Sequence, residues 1–445
     1  MFQRFINLFL LIIFFFSCPA FSEQLNIKVQ HAKLENGLDV YVVPNHRIPA
    51  VLHAVVYKIG GMDDPVGKAG LAHYFEHLMF KTTGKFKNIE STLGSIGARF
   101  NAFTTKEYTC YYELVATQNL QLAMEIEADR MSSFNVDQDK IEKEKNIVLE
   151  ERKMRFDNNP YSLIWEEMNN AFYRTGYGRP VVGWEEDINT FNRESIEKFH
   201  DSYYHPGNAM LLVVGDVEFD EVLKLANAKY GAIESKPVVR SYPNQEPAHN
   251  ANIELTVAST QVKEPMLYFR YKVPMSKSTK DVLTTNLAVN LLGREKSSRL
   301  YKHLVLDKEV AVSVHSYYHG LTFSNGFVDI GVIPKSGVTL DVIEKELEQS
   351  INDFLHEKMT NEELNSAKYK YKVAQFDALS NLESIAFFYV SHLALNIPLE
   401  EIDISYSQVD DISLEDVNDK IHTIFSATKL IGRLLPKGDI SNENQ

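Results

Sequence analysis

The chain has 445 residues, 44% of them hydrophobic and 24% charged, with 60 acidic against 46 basic side chains. That length exceeds one ordinary core and predicts two or more domains, while the composition excludes both a disordered chain and a multi-span membrane protein. The acidic balance excludes nucleic acid as a partner, because phosphates demand a basic face.

In chain order, the first segment differs from the rest. Residues 5–16 are apolar apart from Asn7 and follow the lone charge of Arg4, and Ala20-Phe21-Ser22 stands just before Glu23. A positive start, a short apolar run and small residues two apart are the parts of a secretory signal peptide, here residues 1–22 with cleavage after Ser22. The run is short of the ~20 residues that span a bilayer, so no stable membrane anchor is expected. Lipid attachment at Cys18 is disfavoured by Phe15 and Phe16 ahead of it. The protein is therefore expected to be exported, to a periplasm or to the exterior. Cleavage removes Arg4 and leaves a net charge of −15 with Cys110 as the remaining cysteine, so no intramolecular disulfide is expected.

Strand-like runs follow at 37–43 and 50–59, the second ended by Gly60-Gly61. Residues 69–81 carry an apolar stripe of Leu71, Phe75, Leu78 and Met79, which predicts a helix. Residues 100–116 alternate and are rich in Thr and Tyr, as one or two strands would be. Helices are expected at 119–132 and 138–155, and a buried strand at 211–217 after the turn His205-Pro206-Gly207-Asn208. Pro237, Pro243 and Pro247 then mark a linker, 237–249. Beyond it the order begins again, with strands at 265–273, 310–316 and 326–333 and helices at 281–292, 340–358 and 361–378. The repetition predicts two tandem α+β domains of related design, 23–236 and 250–445.

The strongest local signal is His73-Tyr74-Phe75-Glu76-His77. Residues four apart on a helix share one face about one turn, ~5.4 Å, apart, so His73 and His77 can meet one zinc ion. Glu76 falls on nearly the same face and can take a proton from water. The pattern is H-x-x-E-H, the inversion of the commoner zinc-protease motif. Catalytic zinc needs a third protein ligand, and the helix at 138–155 offers Glu142, Glu144, Glu150 and Glu151. Glu144 and Glu151 are seven apart and share a face. One can bind metal while the other braces a ligand histidine.

These residues resemble the pitrilysin/insulinase-type zinc peptidases, in particular the small two-domain bacterial branch related to mitochondrial processing peptidases. The resemblance runs through Gly70-Leu71-Ala72-His73-Tyr74-Phe75-Glu76-His77 and Glu144-Lys145-Asn146-Ile147-Val148-Leu149-Glu150-Glu151. It also includes Tyr177-Gly178-Arg179-Pro180 with Gly183, and Tyr204-His205-Pro206 with Asn208. The resemblance implies that Glu151 is the third zinc ligand, that Glu144 is the accessory glutamate and that Glu76 is the catalytic base. Asn101, Ala102 and Phe103, followed by Thr104, look like the family's substrate-binding edge strand. The implied architecture is two similar domains, each a largely antiparallel sheet packed with helices, with a clamshell formed on dimerisation. The implied substrates are peptides and unfolded protein segments held as an added strand.

The chain departs from the family in one place. Active members place an Arg and a Tyr of the second domain on the substrate carbonyl, in a stretch resembling Ser297-Ser298-Arg299-Leu300 and the dozen residues after it. Here Val305 stands where Arg is expected and Val312 where Tyr is expected, and Arg299 and Tyr301 are off those positions. The resemblance therefore implies the metal-bearing subunit of a two-chain zinc endopeptidase, its sister chain supplying the Arg and the Tyr. The alternative is a non-catalytic peptide-binding or scaffolding subunit of the same fold. A non-peptidase zinc hydrolase is a weaker third.

Overall fold

The computed structural model describes residues 27–81, 84–237, 240, 246–276 and 278–438. The expected signal segment lies outside these residues, as does part of the expected linker.

Two sheets organise the chain. The first holds β1 (Gln30–Lys33), β2 (Asp39–Pro44), β3 (Ala50–Tyr57), β4 (Arg99–Thr104), β5 (Thr109–Ala116) and β6 (Ala209–Gly215), in the order β1-β2-β6-β3-β5-β4. The second holds β7 (Ile253–Ser259), β8 (Met266–Val273), β9 (Ala311–His319), β10 (Gly326–Pro334) and β11 (Lys429–Pro436), in the order β7-β11-β8-β10-β9. Each sheet has a single parallel pairing, β2 with β6 and β7 with β11, and is otherwise antiparallel. Laid on one another, β2-β6-β3-β5-β4 and β7-β11-β8-β10-β9 have the same pattern. The duplicated α+β design expected from the sequence is the design observed.

The helices of the first half include α1 (Leu71–Leu78), α2 (Ile89–Ser95), α3 (Leu120–Ser132), α4 (Gln138–Arg152) and α5 (Pro160–Phe172). Side chains of α1, α3 and α4 form one core with Val51, Val55 and Tyr57 of β3. The opposite face of β3, Leu52, Ala54 and Val56, is covered by Leu382, Ile385, Ala386, Tyr389 and Val390 from the second half. In return, Ile164, Met168 and Phe172 of α5 cover Met266, Tyr268, Leu430 and Leu434 of the second sheet. Each half thus lends a helix to the other, and β3 can be apolar on both faces because both are buried.

The two halves are also pinned by polar contacts. Arg270 of β8 is fully buried and forks onto Asp329 at 2.7 and 2.8 Å, with Asn169 of α5 at 2.6 Å. In the linker, Arg240 pairs with Asp63 at 2.7 and 3.0 Å, and Glu246 accepts from the Arg174 amide at 2.6 Å.

Candidate metal centre

The helix expected at 69–81 is shorter, because its start is set by contacts and not by periodicity. Gly70 precedes it at φ +90°. A Cβ on Gly70 would lie 2.6 Å from the Gly183 Cα, and one on Gly183 would lie 2.3 Å from the Ala69 carbonyl oxygen, so only glycines let these backbones touch. The buried Asp64 carboxylate accepts from the amides of Gly70 (2.7 Å) and Ala72 (2.9 Å), two donors that a helix start leaves without partners. Arg152, the last residue of α4, donates to the Gly183 carbonyl at 2.7 Å and forks onto Glu166 of α5. Tyr74 Oη donates to the Ile141 carbonyl at 2.5 Å. These contacts fix α1 against α4, and they give the Gly183 segment a structural role. Tyr204 has a similar one beneath α1, packed on Phe75 at 4.5 Å.

His73 and His77 then face Glu144 and Glu151. His77 Nδ1 donates to Glu144 Oε1 at 2.9 Å, which leaves His77 Nε2 pointing at Glu151 Oε2, 3.2 Å away. His73 Nε2 lies 3.8 Å from the same oxygen, too far for a hydrogen bond. One ligand atom from each of His73, His77 and Glu151 lies within 4.8 Å of the other two, the one such group among the described residues. A tetrahedral ion with bonds of ~2.0–2.1 Å holds its ligands roughly 3.3 Å apart. Two imidazoles and one carboxylate are a donor set of catalytic zinc, which keeps a fourth position open. The residues present fit the metal.

The surrounding charges are arranged around this cluster. Burial, followed by the nearby His77, pushes the His73 imidazole down to about 4. Burial would lower His77 as well, but its bonds to Glu144 and Glu151 outweigh that and raise it to about 9. Glu151 is held below the usual carboxylate range by His77. Burial works to raise Glu144, yet the bonds from His77 and Lys81 bring it below that range too. Glu76 goes the other way, its carboxyl raised by burial and partly restrained by Thr104 Oγ1, which donates to it at 2.6 Å.

Glu76 opens into a cleft of about 480 Å³ whose lining residues all fall between 73 and 155. One wall is β4, with Asn101, Ala102 and Phe103 expected to bind substrate. β4 is the outermost strand of its sheet, paired with β5 on one side only. Phe80, Phe100 and Arg155 complete the mouth. Three polar contacts of the site go beyond what the sequence predicts. Thr104 bonds Glu76, Lys81 Nζ donates to Glu144 Oε2 at 3.0 Å, and Arg155 Nη1 donates to Glu151 Oε1 at 2.7 Å. Lys81 and Arg155 each stand four residues after a site residue, a same-face spacing that could have revealed them.

Val305 and Val312 do not line this cleft. Val312 is 56% exposed, at an irregularity where Ser313 pairs with Ile333 and Ala311 with Pro334. Val305 packs partly buried against the second core, as does Tyr301. Arg299 forks onto Glu363 at 2.8 and 2.9 Å and donates to the Glu357 and Lys358 carbonyls. It holds helices together.

Residues 40–184 match the family described as Insulinase (Peptidase family M16), and residues 190–371 match the Peptidase M16 inactive domain. The chain is 31% identical to the zinc protease PqqE of Helicobacter pylori over 83% of its own length and 84% of the relative's. It is 25% identical to the uncharacterized zinc protease YmxG of Bacillus subtilis, over 91% of this chain and 98% of that one. The crystal structure of a protease from Helicobacter pylori superposes with a TM-score of 0.86 and 26% identity, covering 92% of this chain and all of that one. The chain belongs to the insulinase-type M16 peptidase family.

Proposed function

We propose that this protein is a zinc-dependent endopeptidase that cuts peptides or unfolded protein segments. The observation that carries the reading is the convergence of His73, His77 and Glu151 within 4.8 Å, with Glu76 between them and a free sheet edge.

A zinc ion held by these three groups supplies Lewis-acid chemistry, polarising the scissile carbonyl and acidifying water. Glu144 keeps the proton on His77 Nδ1, so that Nε2 is the nitrogen that gives up its proton when it ligates. β4 takes the peptide as an added strand through its unpaired backbone groups, which asks little of substrate sequence. Glu76 takes the proton of the attacking water and returns it to the leaving amine. Its burial suits that task, because a raised carboxyl accepts a proton more readily.

The electrostatic half of the site comes, in this reading, from a sister chain of the same fold that faces this one and brings an Arg and a Tyr. The exposed, donorless Val312 supports it. A second reading, a non-catalytic peptide-binding subunit, draws on the match of the second half to a domain described as inactive. The intact metal ligands and Glu76 favour the enzyme. Export, to a periplasm or outside the cell, rests on residues 1–22, and no helix among the described residues is long and apolar enough to cross a membrane.

The test measures zinc content and cleavage of an unfolded protein by the purified chain with its partner. One zinc per chain is expected, lost in His77→Ala and severely weakened in Glu151→Gln, with cleavage lost in both. Full zinc occupancy in both variants contradicts the assignment.

A further inference from the structure

Around α5, where the two halves meet, lie two adjoining clefts of about 500 and 410 Å³ that share Lys106, Trp165 and Asn169. The larger is walled by rings. Trp165 stands 5.9 Å from Phe327 and 6.3 Å from Tyr317, and His319 stacks on Phe327 at 5.1 Å. The floor is rigid, because the Arg270 guanidinium lies 4.0 Å from the Phe327 ring centre and 5.1 Å from that of Trp165, its charge met by Asp329. Tyr177 closes the far side, donating to Glu107 at 2.9 Å and accepting from the Phe323 amide at 2.8 Å. Burial drives the His319 imidazole down to about 4, so it adds no charge near neutral pH. The rim is open, with Tyr317 48% exposed on β9, the outermost strand of the second sheet.

Its position relates this cleft to the cutting site. Lys106 sits in the turn between β4 and β5, two residues beyond Thr104, and Thr104 holds Glu76. At about 3.3 Å per residue, roughly 7 Å of backbone separates the two. A strand paired with β4 and running on past Thr104 heads for the aromatic cleft. Lys106 Nζ donates to the Arg179 carbonyl, and the remaining wall is mostly rings. A large open aromatic surface of this kind suits an apolar occupant.

We propose that this cleft is a specificity subsite that takes a bulky apolar side chain of the peptide, roughly two to four residues from the bond that is cut. The inference rests on the reading that β4 pairs with substrate.

The chain has two tryptophans, so Trp184→Phe leaves Trp165 as the only tryptophan, read by excitation beyond the tyrosine band. In a Glu76→Gln, Trp184→Phe background, a single Phe is moved through a Gly/Ser peptide while binding and Trp165 emission are recorded. Binding should tighten about 10- to 100-fold at one or two adjacent positions, with a change in emission at those positions alone. Tyr317→Ala should flatten the preference, as should Tyr317→Asp, which charges the exposed rim. Peptides that bind equally wherever the Phe stands, with Trp165 emission unmoved, overturn the subsite while leaving the peptidase reading intact. Failure of every peptide to bind overturns that reading and the subsite with it.

Discussion

His77 Nδ1 and Glu144 Oε1 lie 2.9 Å apart, and that contact decides which nitrogen of His77 faces Glu151. Glu144 is a positioning residue whose other oxygen is held by Lys81. Replacing it by Ala should lower zinc affinity about 10- to 100-fold without removing a ligand. Competition with a chelator measures this, and an unchanged affinity would remove Glu144 from the role.

The Glu144–Glu151 pair also marks how far sequence reasoning reaches. The spacing of His73, Glu76 and His77 is legible because ligands four apart on a helix meet an ion without help from the rest of the fold. Spacing alone leaves Glu144 and Glu151 equivalent. Only the placement of α4 against α1, set by Gly70, Gly183 and Arg152, puts one on Nδ1 and the other beside Nε2. The exchange of α5 and the helix Leu382–Leu393 is illegible for a related reason. The latter is buried at Leu382, Ile385, Ala386, Tyr389, Val390 and Leu393, and its partner strands lie more than 150 residues earlier. β11 is equally hidden, since Gly432 and Arg433 interrupt its apolar run. The structure explains Gly432, where a Cβ would lie 2.9 Å from Met168 Sδ of α5.

The chain alone should cleave slowly. Losing one oxyanion donor typically costs about 10²–10³-fold, and Val312 offers none. Rates are compared for the isolated chain, the co-expressed pair, and the pair with the partner's Arg and Tyr removed. The last should fall back toward the isolated chain. An isolated chain as fast as the pair contradicts the split site.

Arg299 should matter for stability and not for metal binding. Its bond holds the Glu363 carboxyl down at about 2. A depressed carboxylate stabilises above its unfolded value, about 4.3, and that contribution is lost as pH falls toward 2. Both partners are partly exposed, at 22% and 31%, so screening limits the effect of Arg299→Ala to roughly 1 kcal/mol. Thermal unfolding should show the variant less stable at pH 7, with the gap narrowing below pH 4, and zinc content unchanged. A gap that widens in acid contradicts the assignment.

Glu76→Gln offers the most direct measurement. Glutamine keeps the size of the side chain and can still bond Thr104, but it cannot accept the proton of the attacking water. The variant, assayed with its partner, should retain one zinc per chain and its fold while peptide cleavage falls about 10²–10⁴-fold. Near-normal turnover by a zinc-loaded Glu76→Gln protein would contradict the account.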